Sequence, residues 1–316
     1  MEEKVITIKG KKLILREADE RDKLDILNFL KFLFKHKNYD EKWFEWVRGN
    51  ENYGRDYFIA LNEENKILGL YGLSPVKFKI KGNFYWGSQS CNVGIHPDFW
   101  GSDLFLELSL FSFQKDKKKG RAFAFCSPRR MLAIRAHKKI GWKELGLLAF
   151  LEKKNLNKFE AKNFKLHYKF DNSIEKIINI FFKNFDFYIF KDLNYLNWRY
   201  AENFYKFFTD FENSFFILKR YEESDIKRMH TIELFFKEEK NLKEIIDFSS
   251  ANLEENFVLN TWVFKDSSLE IAFKRLGFSE NGKSCPLLIY PYEENYFDEI
   301  KSCKNIYFAL GDDEAF

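Results

Sequence analysis

Apolar and polar residues alternate along the first 150 residues in two distinct periods, and turn residues separate the segments. A period of two or a short apolar run predicts a β-strand, whereas apolar residues three or four positions apart predict a helix. Antiparallel strands followed by strand–helix–strand steps with a parallel pair predict a mixed sheet flanked by helices. The predicted strands cover residues 12–17, 57–61, 66–73, 76–81, 84–95, 122–126 and 143–152, and the predicted helices cover residues 21–35, 41–48, 102–118 and 130–139.

A helix that ends at a glycine occurs twice in the same context. Aligning Gly141 with Gly277 pairs AIRAHKKIGWKE with LEIAFKRLGFSE, and an apolar strand precedes the helix in each copy. Two ordinary amphipathic helices with a C-terminal glycine would give a similar match, but the matching upstream strands favour a true duplication. We therefore expect two tandem domains of mixed α/β class, residues 1–155 and residues 156–316.

Composition adds expectations about size and location. The chain has 316 residues, of which 45% are hydrophobic and 32% charged, and this suits about two globular domains. Its longest apolar stretch, residues 145–151, is far shorter than the roughly 18 residues that a membrane helix needs, and no secretion signal follows the first methionine. We therefore expect a cytoplasmic protein without membrane insertion, whose scattered cysteines are reduced thiols and form neither a disulfide framework nor a zinc site. These cysteines are Cys91, Cys126, Cys285 and Cys303.

Glycine, proline and charge are unevenly distributed along the chain. Twelve of the fifteen glycines lie at or before Gly146, and no proline occurs between Pro128 and Pro286. Both residues serve where the backbone turns tightly or approaches a ligand, so we expect the ligand site in the first half. Residues 1–150 also hold 28 Lys and Arg against 19 Asp and Glu. Such an excess attracts anions, although a chance distribution over the surface would look the same.

The segment VGIHPDFWGSDLFLEL (93–108) combines a strand end, a tight turn and a helix start. Pro97 ends strand pairing, Gly101 permits the turn, and an apolar-periodic helix follows. Such a turn directs several backbone N–H groups and the positive end of the helix dipole at one point. It therefore suits a phosphate or pyrophosphate.

This segment, followed by helix, strand, helix and KIGW, resembles the GNAT superfamily of acyl-CoA-dependent N-acyltransferases, in its tandem two-domain form. The family pattern is a hydrophobic-x-Pro-x-aromatic-Arg-Gly-x-Gly-x-Gly loop, and then a helix ending in Leu/Ile-Gly-Phe/Trp. The resemblance covers residues 12–152 and continues in weaker form to the C-terminus. It implies two GNAT-like domains, each with a mostly antiparallel mixed sheet whose parallel strands splay apart, and acetyl-CoA bound in that opening as acyl donor.

The resemblance also implies which residues hold the donor. Pantetheine would pair with the strand that ends at Ile95, and the pyrophosphate would lie on the backbone amides of residues 101–105, with Ser102 adding a hydroxyl donor. Trp100 stands where the family has a basic residue, and Asp103 must point outward, since a carboxylate beside a pyrophosphate costs free energy. The expected donor-binding residues are Val93, Ile95, Trp100, Gly101, Ser102, Asp103, Leu104, Phe105 and Arg130.

His137 is the catalytic candidate, because relatives carry at this position a tyrosine that protonates the leaving CoA thiolate. Imidazole can be such an acid, whereas the second copy has Phe273 there, which cannot transfer a proton. A solvent-exposed helix residue is the alternative. No carboxylate in strand 84–95 offers a general base, His96 is typical of a turn, and spacing gives no support for a cysteine nucleophile. Acylation of an amine can instead rely on positioning and loss of a proton to water.

The resemblance implies transfer of an acetyl or other short acyl group to a primary amine, without a metal. An amino sugar or a nucleotide-sugar for a surface glycan is the expected acceptor, because LNWRY (196–200) resembles a motif of bacterial polysaccharide acyltransferases. Trp198 offers a stacking face and Arg199 an anion clamp, with Asn92 as a further contact, although domain packing is the alternative for the aromatic helix. The acidic GDDE sequence (311–314) could meet a cationic amine, but a frayed end is the simpler interpretation.

Two other functions stay open. A Fem-type aminoacyltransferase would use aminoacyl-tRNA and bind RNA with a steep salt dependence, but the sequence shows no long basic helical hairpin. A protein that kept the fold and lost catalysis would serve as a ligand sensor or complex subunit, as the altered glycine loop suggests. We expect the acyltransferase, with a small-molecule amine as partner and no nucleic acid.

Overall fold

The computed structural model describes residues 2–35, 37–154, 163–201, 205–223, 226–253 and 257–313. The strands in these ranges are β1 (Lys4–Ile8), β2 (Lys11–Glu17), β3 (Asp56–Leu61), β4 (Ile67–Ile80), β5 (Asn83–Ile95), β6 (Phe123–Cys126), β7 (Lys143–Lys153), β8 (Lys165–His167), β9 (Phe187–Ile189), β10 (Tyr205–Thr209), β11 (Ser214–Glu223), β12 (Ile226–Phe236), β13 (Phe257–Phe264) and β14 (Ser279–Pro291). The helices are α1 (Lys23–Leu33), α2 (Glu41–Arg48), α3 (Leu104–Lys118), α4 (Met131–Lys139), α5 (Asn172–Phe181), α6 (Leu193–Arg199), α7 (Glu239–Ala251), α8 (Ser268–Arg275) and α9 (Glu294–Lys301). Within the described residues, no helix combines the length and the apolar character needed to cross a membrane.

The described strands form one continuous sheet that runs through both halves of the chain. Its order is β1-β2-β3-β4-β5-β6-β14-β7-β13-β12-β11-β10-β8, and β9 pairs with β4 beside this path. The pairs β5–β6 and β12–β13 are parallel, whereas β1–β2, β4–β5, β6–β14, β14–β7 and β7–β13 are antiparallel. The expected mixed, mostly antiparallel sheet is therefore confirmed.

The two halves, residues 2–154 and 163–313, exchange their last strand. Strand β7 follows α4 in the first half but pairs with β13 of the second half, with Thr261 opposite Leu151. Strand β14 follows α8 in the second half and pairs with β6 of the first, with Ile289 opposite Phe125. Each half therefore completes the sheet of the other. The expected domain boundary between residues 155 and 156 lies outside the described residues.

The two predicted strands 66–73 and 76–81 are in fact one strand, β4, which continues through Pro75. On one side β3 pairs with β4 as far as Leu73, and β9 begins to pair at Phe78. Pro75 lies between these two partners, so its missing N–H costs no ladder bond there. The short edge strand β1 was not predicted, since its residues are mostly exposed and show little apolar contrast.

Helices cover both faces of the sheet in the first half. Alternate residues of β3 point to opposite faces: Phe58 packs in the cluster beneath α3, and Ile59 packs against α1 and α2. In the second half Phe216 and Leu218 of β11 pack against α7. Phe215 on the opposite face joins a central cluster with α5 and the C-terminal segment. The core thus runs across the junction of the two halves.

Candidate active site

The parallel strands β5 and β6 separate after a short contact and open a groove in the first half. They pair from Gly87 to Gln89. Beyond that point β5 continues to Ile95 beside β4 but without β6 on its other side. The opening is a cavity of about 300 Å³, which we call the first-half groove. Its wall includes Ser90, Cys91, Asn92, Val93, Cys126, Ser127, Arg129, Ala133, His137 and Asp313.

A β-bulge shapes the β5 side of this groove. The register against β4 shifts between Cys91 and Gly94, and Asn92 at the bulge has a left-handed φ of 50°. The Asn92 amide oxygen accepts hydrogen bonds from Arg55 and from the Tyr57 hydroxyl, and its nitrogen donates to the Tyr39 hydroxyl at 3.2 Å. The expected acceptor contact Asn92 therefore lies in the groove wall, but its amide supports the bulge.

The turn before α3 has the geometry of an anion site. Gly101 has a φ of +73°, and a Cβ there would meet no atom of the described residues within 4 Å. Helix α3 begins at Leu104, and the first N–H groups of a helix have no carbonyl partner within it. The Ser102 hydroxyl donates to the Phe99 carbonyl at 2.6 Å, so its proton stabilises the turn and is not offered to a phosphate.

The other expected donor-binding residues fall into distinct places around the groove. Val93 lines it, whereas Asp103 and Arg130 are exposed residues just before α3 and α4. Leu104 is a fully buried core residue, so only its backbone can meet a ligand. The Trp100 side chain is 67% exposed.

Two of these residues already contact other parts of the protein. The Trp100 indole donates to the carbonyl of Ile95 at 2.9 Å. That carbonyl is therefore occupied, and Ile95 does not offer it to pantetheine. The Phe105 ring lies 5.5 Å from the ring of His137, so Phe105 packs against the catalytic candidate.

His137 lies in the groove wall and is 7% exposed, so it is not a solvent-exposed helix residue. Its Nδ1 atom is 2.7 Å from the carbonyl oxygen of Ala133. Because a carbonyl can only accept, Nδ1 carries a proton. Burial lowers the pKa of His137 below its usual value, which favours the neutral ring with an unprotonated Nε2. In this state the imidazole accepts a proton, whereas the sequence suggested a donor.

The acidic C-terminal segment is not frayed as far as residue 313. Asp312 and Asp313 are 2% and 7% exposed, and Asp313 reaches the wall of the first-half groove. The Asp313 carboxylate accepts hydrogen bonds from Ser127 and from Arg129, the latter at 2.9 Å. Sequence reasoning missed Ser127 and Arg129 and interpreted the acidic segment as a frayed end, although the apolar run just before it, IYFAL (306–310), is typical of a buried segment.

A buried ionic cluster holds this segment in the second half. The Lys191 ammonium contacts Glu233 and, at 2.7 Å, Asp312, and all three side chains are fully buried. The Tyr200 and Tyr307 hydroxyls donate to the Glu233 carboxylate at 2.6 and 3.1 Å. The segment thereby occupies the region where β12 and β13 separate, beyond the paired residues 227–230 and 257–260.

Trp198 and Arg199 serve this assembly, contrary to the expected contact with an acceptor. The Arg199 guanidinium donates to the carbonyls of Gly311 and Asp313, at 2.7 Å for the latter. The Trp198 indole donates to the Trp46 carbonyl at 2.9 Å, and its ring stacks on Tyr53 at 5.5 Å. The packing alternative describes Trp198, whose contacts with Trp46 and Tyr53 join the two halves, whereas Arg199 holds the C-terminal segment of its own half.

In the part of the chain that the structure describes, no group of three or more His, Cys, Asp or Glu side chains is placed to hold a metal ion. The donor-binding expectation rests instead on backbone geometry. The opened strand pair leaves the β5 edge beyond Gln89 without β6 beside it, and the turn at Gly101 leaves open space before the start of α3. Both features fit an extended thioester that carries phosphates.

The comparisons with known proteins concern this arrangement, an opened parallel strand pair followed by a turn and a helix start. Residues 15–145 match the family model of the acetyltransferase (GNAT) domain. This range includes the residues of the groove wall from β5 to α4, and Asp313 lies outside it. No curated protein matches the chain in sequence.

Solved structures extend the likeness to most of the chain. A GCN5-related N-acetyltransferase from Anabaena variabilis is similar with a TM-score of 0.66 and 12% identity, over 87% of this chain and 72% of that one. N-myristoyltransferase of Saccharomyces cerevisiae, solved with bound myristoyl-CoA, has a TM-score of 0.60 and 9% identity, over 91% and 84%. Eis1 from Mycobacterium abscessus has a TM-score of 0.59 and 9% identity, over 88% and 73%. At these identities the comparison shows a shared fold.

Proposed function

We propose that this protein transfers a short acyl group from acyl-CoA to a primary amine in the first-half groove. The observation that carries the proposal is the joint presence, in the first half, of the β5 edge beyond its pairing with β6, the open turn at Gly101 and the buried imidazole of His137 in the groove wall. The family match over residues 15–145 supports it. Acyl-CoA would supply the activated thioester, with acetyl as the first candidate.

The residues of the chain divide the binding of this donor between them. The backbone of β5 from Ser90 to Val93 borders the groove and can hydrogen bond an extended amide chain. The amides of Gly101, Asp103 and Phe105 would meet the pyrophosphate, because the positive end of α3 faces that turn. The amides of Ser102 and Leu104 already donate to the Phe99 carbonyl and the Ser102 hydroxyl. Arg130, exposed before α4, would contact a phosphate.

His137 would move the proton that the reaction must transfer from nitrogen to sulfur. Attack by an amine on a thioester gives an amide and a thiol, so one proton leaves the amine and one reaches the sulfur. A neutral imidazole can accept the first through Nε2 and return it to the leaving thiolate. The Nδ1–H bond to Ala133 holds the ring in the required tautomer.

The acceptor we propose is a small amine, with an amino sugar or nucleotide-sugar as the leading candidate. The resemblance of LNWRY to polysaccharide acyltransferases supports this class, although Trp198 and Arg199 themselves contact protein groups. Asp313 adds a carboxylate to the groove wall beside Arg129. It would help to hold a cationic amine near the thioester.

Calorimetry with acetyl-CoA tests the donor site, with Gly101→Val compared with Gly10→Val. Both glycines have a φ of +73° and open space around the missing Cβ, so both variants bear the same backbone penalty of about 1–2 kcal/mol. We expect one site per chain and a loss of about tenfold or more in affinity, or roughly 1.4 kcal/mol, for Gly101→Val alone. Equal effects of the two variants, two equivalent sites, or no binding of several acyl-CoAs would overturn the proposal.

A further inference from the structure

A second cavity lies over the sheet of the second half, on the face opposite α7 and α8. Its volume is about 600 Å³, and we call it the second-half cavity. Its floor is a row of cross-strand neighbours in which Lys219 faces His230, His230 faces Asn260, and Asn260 faces Glu152. The residues next to them along the same strands, such as Leu218 and Leu259, point to the opposite face and pack against the helices. The cavity is therefore a face of the fold itself and not a gap between loops.

The described lining of this cavity carries an excess of positive charge. Four of its side chains are cationic, namely Arg129, Lys219, Arg228 and Lys283, against the single carboxylate of Glu152. Arg228 lies 3.6 Å from that carboxylate. Burial, together with the nearby charges of Arg199 and Lys37, lowers the pKa of Lys219 to about 8. Positive charge is thus concentrated in a partly dehydrated space, where an anion binds more strongly than in water.

One buried side-chain atom of this lining, Nε of Arg228, has no hydrogen-bond partner among the described residues. A guanidinium N–H can only donate. An oxyanion of a ligand would accept from it, and so would recover a free energy that burial otherwise costs.

Arg129 connects this cavity with the first-half groove, because it lines both. Its guanidinium bonds Asp313 on the groove side and lies 5.0 Å from the ring of Trp262 on the cavity side. A molecule lying along Arg129 can place one end in each space. We propose that the acceptor is an anionic amine, whose amine enters the groove and whose phosphoryl or carboxylate group binds in the second-half cavity. This inference rests on the proposed acyl transfer.

Three amino sugars that differ in charge test it by calorimetry on CoA-saturated protein. These are glucosamine, glucosamine 6-phosphate and 2-amino-2-deoxyglucuronic acid. We expect at least one of the two anionic amines to bind about tenfold or more tightly than glucosamine, as charge-assisted bonds to a guanidinium would give. A preference for the phosphate or for the carboxylate identifies which anion the cavity suits. Equal binding of all three, or no binding of either anionic sugar, overturns the inference.

Charge variants test which side chains cause the tighter binding of an anionic amine. Lys283→Gln alters an exposed position of β14, where its register against β7 shifts, and should fold normally, and Arg228→Gln removes a cation from the cavity lining. Lys227→Gln is the matched control, because its neighbouring position on β12 directs the side chain to the other face. We expect the preference for the anion to fall in the first two variants and to persist in the control. A preference that survives in both Arg228→Gln and Lys283→Gln contradicts the inference.

Two measurements on the same protein, thiol release and amine binding, distinguish failure of this inference from failure of the proposed function. Release of thiol from acetyl-CoA reports acyl transfer, and binding of the amines does not depend on it. Acylation of glucosamine as fast as of the anionic sugars supports the transferase and overturns the anionic acceptor. Tight, Lys283-dependent binding of an anionic amine without thiol release supports the cavity and counts against the transferase.

Discussion

The two halves of the molecule share the order strand–helix–strand–helix–strand (β5-α3-β6-α4-β7 and β12-α7-β13-α8-β14), yet their strand openings differ. In the first half β5 and β6 part around a groove of about 300 Å³. In the second half the region where β12 and β13 part is occupied by the C-terminal segment, held by Lys191, Glu233 and Arg199. The sheet alone therefore does not make a ligand site. What occupies the opening decides whether a duplicated unit can bind.

The connections from β5 to α3 and from β12 to α7 also differ in how well they suit an anion. The first half has a turn with Gly101 before α3, whereas α7 starts soon after β12 and is preceded by the carboxylate of Glu238. An anionic side chain at a helix N-terminus competes with a phosphate for the same dipole. The counterpart of His137 is Phe273, which is fully buried against Phe278. Loop and filler residues, and not strand order, separate the half whose strand pair is open from the half whose opening is filled.

The largest effect should follow from separating the halves. A fragment of residues 1–155 lacks β14, so β6 and β7 would each lose a partner and expose apolar residues such as Phe125 and Leu148. Unpaired apolar edges aggregate, and we expect insoluble fragment when it is expressed alone. Co-expression with residues 156–316 as a separate chain should restore soluble protein. A soluble fragment that unfolds cooperatively and binds acetyl-CoA would show that the halves are independent.

The second largest effect should follow from removing the positive charge of Lys191, which holds the C-terminal segment. Lys191→Met leaves Glu233 and Asp312 buried without their ammonium partner, and breaking such a pair costs about 3–5 kcal/mol. Lys66→Met is the control, because Lys66 and its partner Glu64 are both exposed, and exposed pairs contribute about 0–1 kcal/mol. Urea unfolding measures both. A loss below that of the control would mean that the segment is not held by this cluster.

His137→Phe makes the first half resemble the second at the catalytic position. Loss of a proton-transfer group should lower kcat by about 10²-fold while acetyl-CoA affinity is kept, within the usual range for acid–base catalysis. Wild-type turnover by this variant would assign His137 a packing role beside Phe105 and Trp142.

His137→Tyr and a pH profile then distinguish the direction of proton transfer. A phenol can donate but is a poor base at neutral pH, so recovery of turnover by tyrosine would favour a pure acid. If the neutral ring must accept, kcat/KM should fall as the pH drops through the folded-state pKa of His137. Because burial lowers that pKa, the fall should come at a lower pH than for an exposed histidine.

The sequence predicted local elements well where periodicity alone decides them. The helix expected over 41–48 begins and ends where observed, and the apolar strand expected before the second glycine-ended helix is β13 (Phe257–Phe264). The exchange of β7 and β14 was not predicted, because a period of two shows which face of a strand is buried but not which strand lies beside it.

The site was predicted in its first-half part and missed in its C-terminal part. Gly101 and His137 carried local signals, namely a turn residue and a register against the repeat. Asp312 and Asp313 did not, because two adjacent acids are typical of a solvated end unless the partners are known. Lys191 and Arg129, which bind them, are more than a hundred residues away in sequence. Buried charge is specified by such distant pairs, and a single sequence does not show them.

The smallest effect concerns a deeply buried carboxyl of the first half, which contrasts with the ionic cluster of the second. Asp116 is fully buried and accepts a hydrogen bond from the Tyr292 hydroxyl at 2.6 Å, whereas Glu233 in the second half has an ammonium beside it. Burial raises the pKa of Asp116 from 3.8 to about 6. The folded state therefore binds a proton that the unfolded state releases between these values, and the charged carboxylate destabilises the protein above them.

Asp116→Asn should remove that cost while its amide oxygen still accepts from Tyr292. Its stability relative to the wild type should rise between pH 4 and pH 6 and reach about 1–2 kcal/mol near neutral pH, part of the linkage for such a shift. Asp25→Asn, at an exposed position of α1, serves as the control and should show no such trend. Chemical unfolding at several pH values measures the difference. A gap that does not change with pH would mean that Asp116 is ionised in the fold at little cost, and that the first half tolerates a buried charge without the partner that the second half supplies.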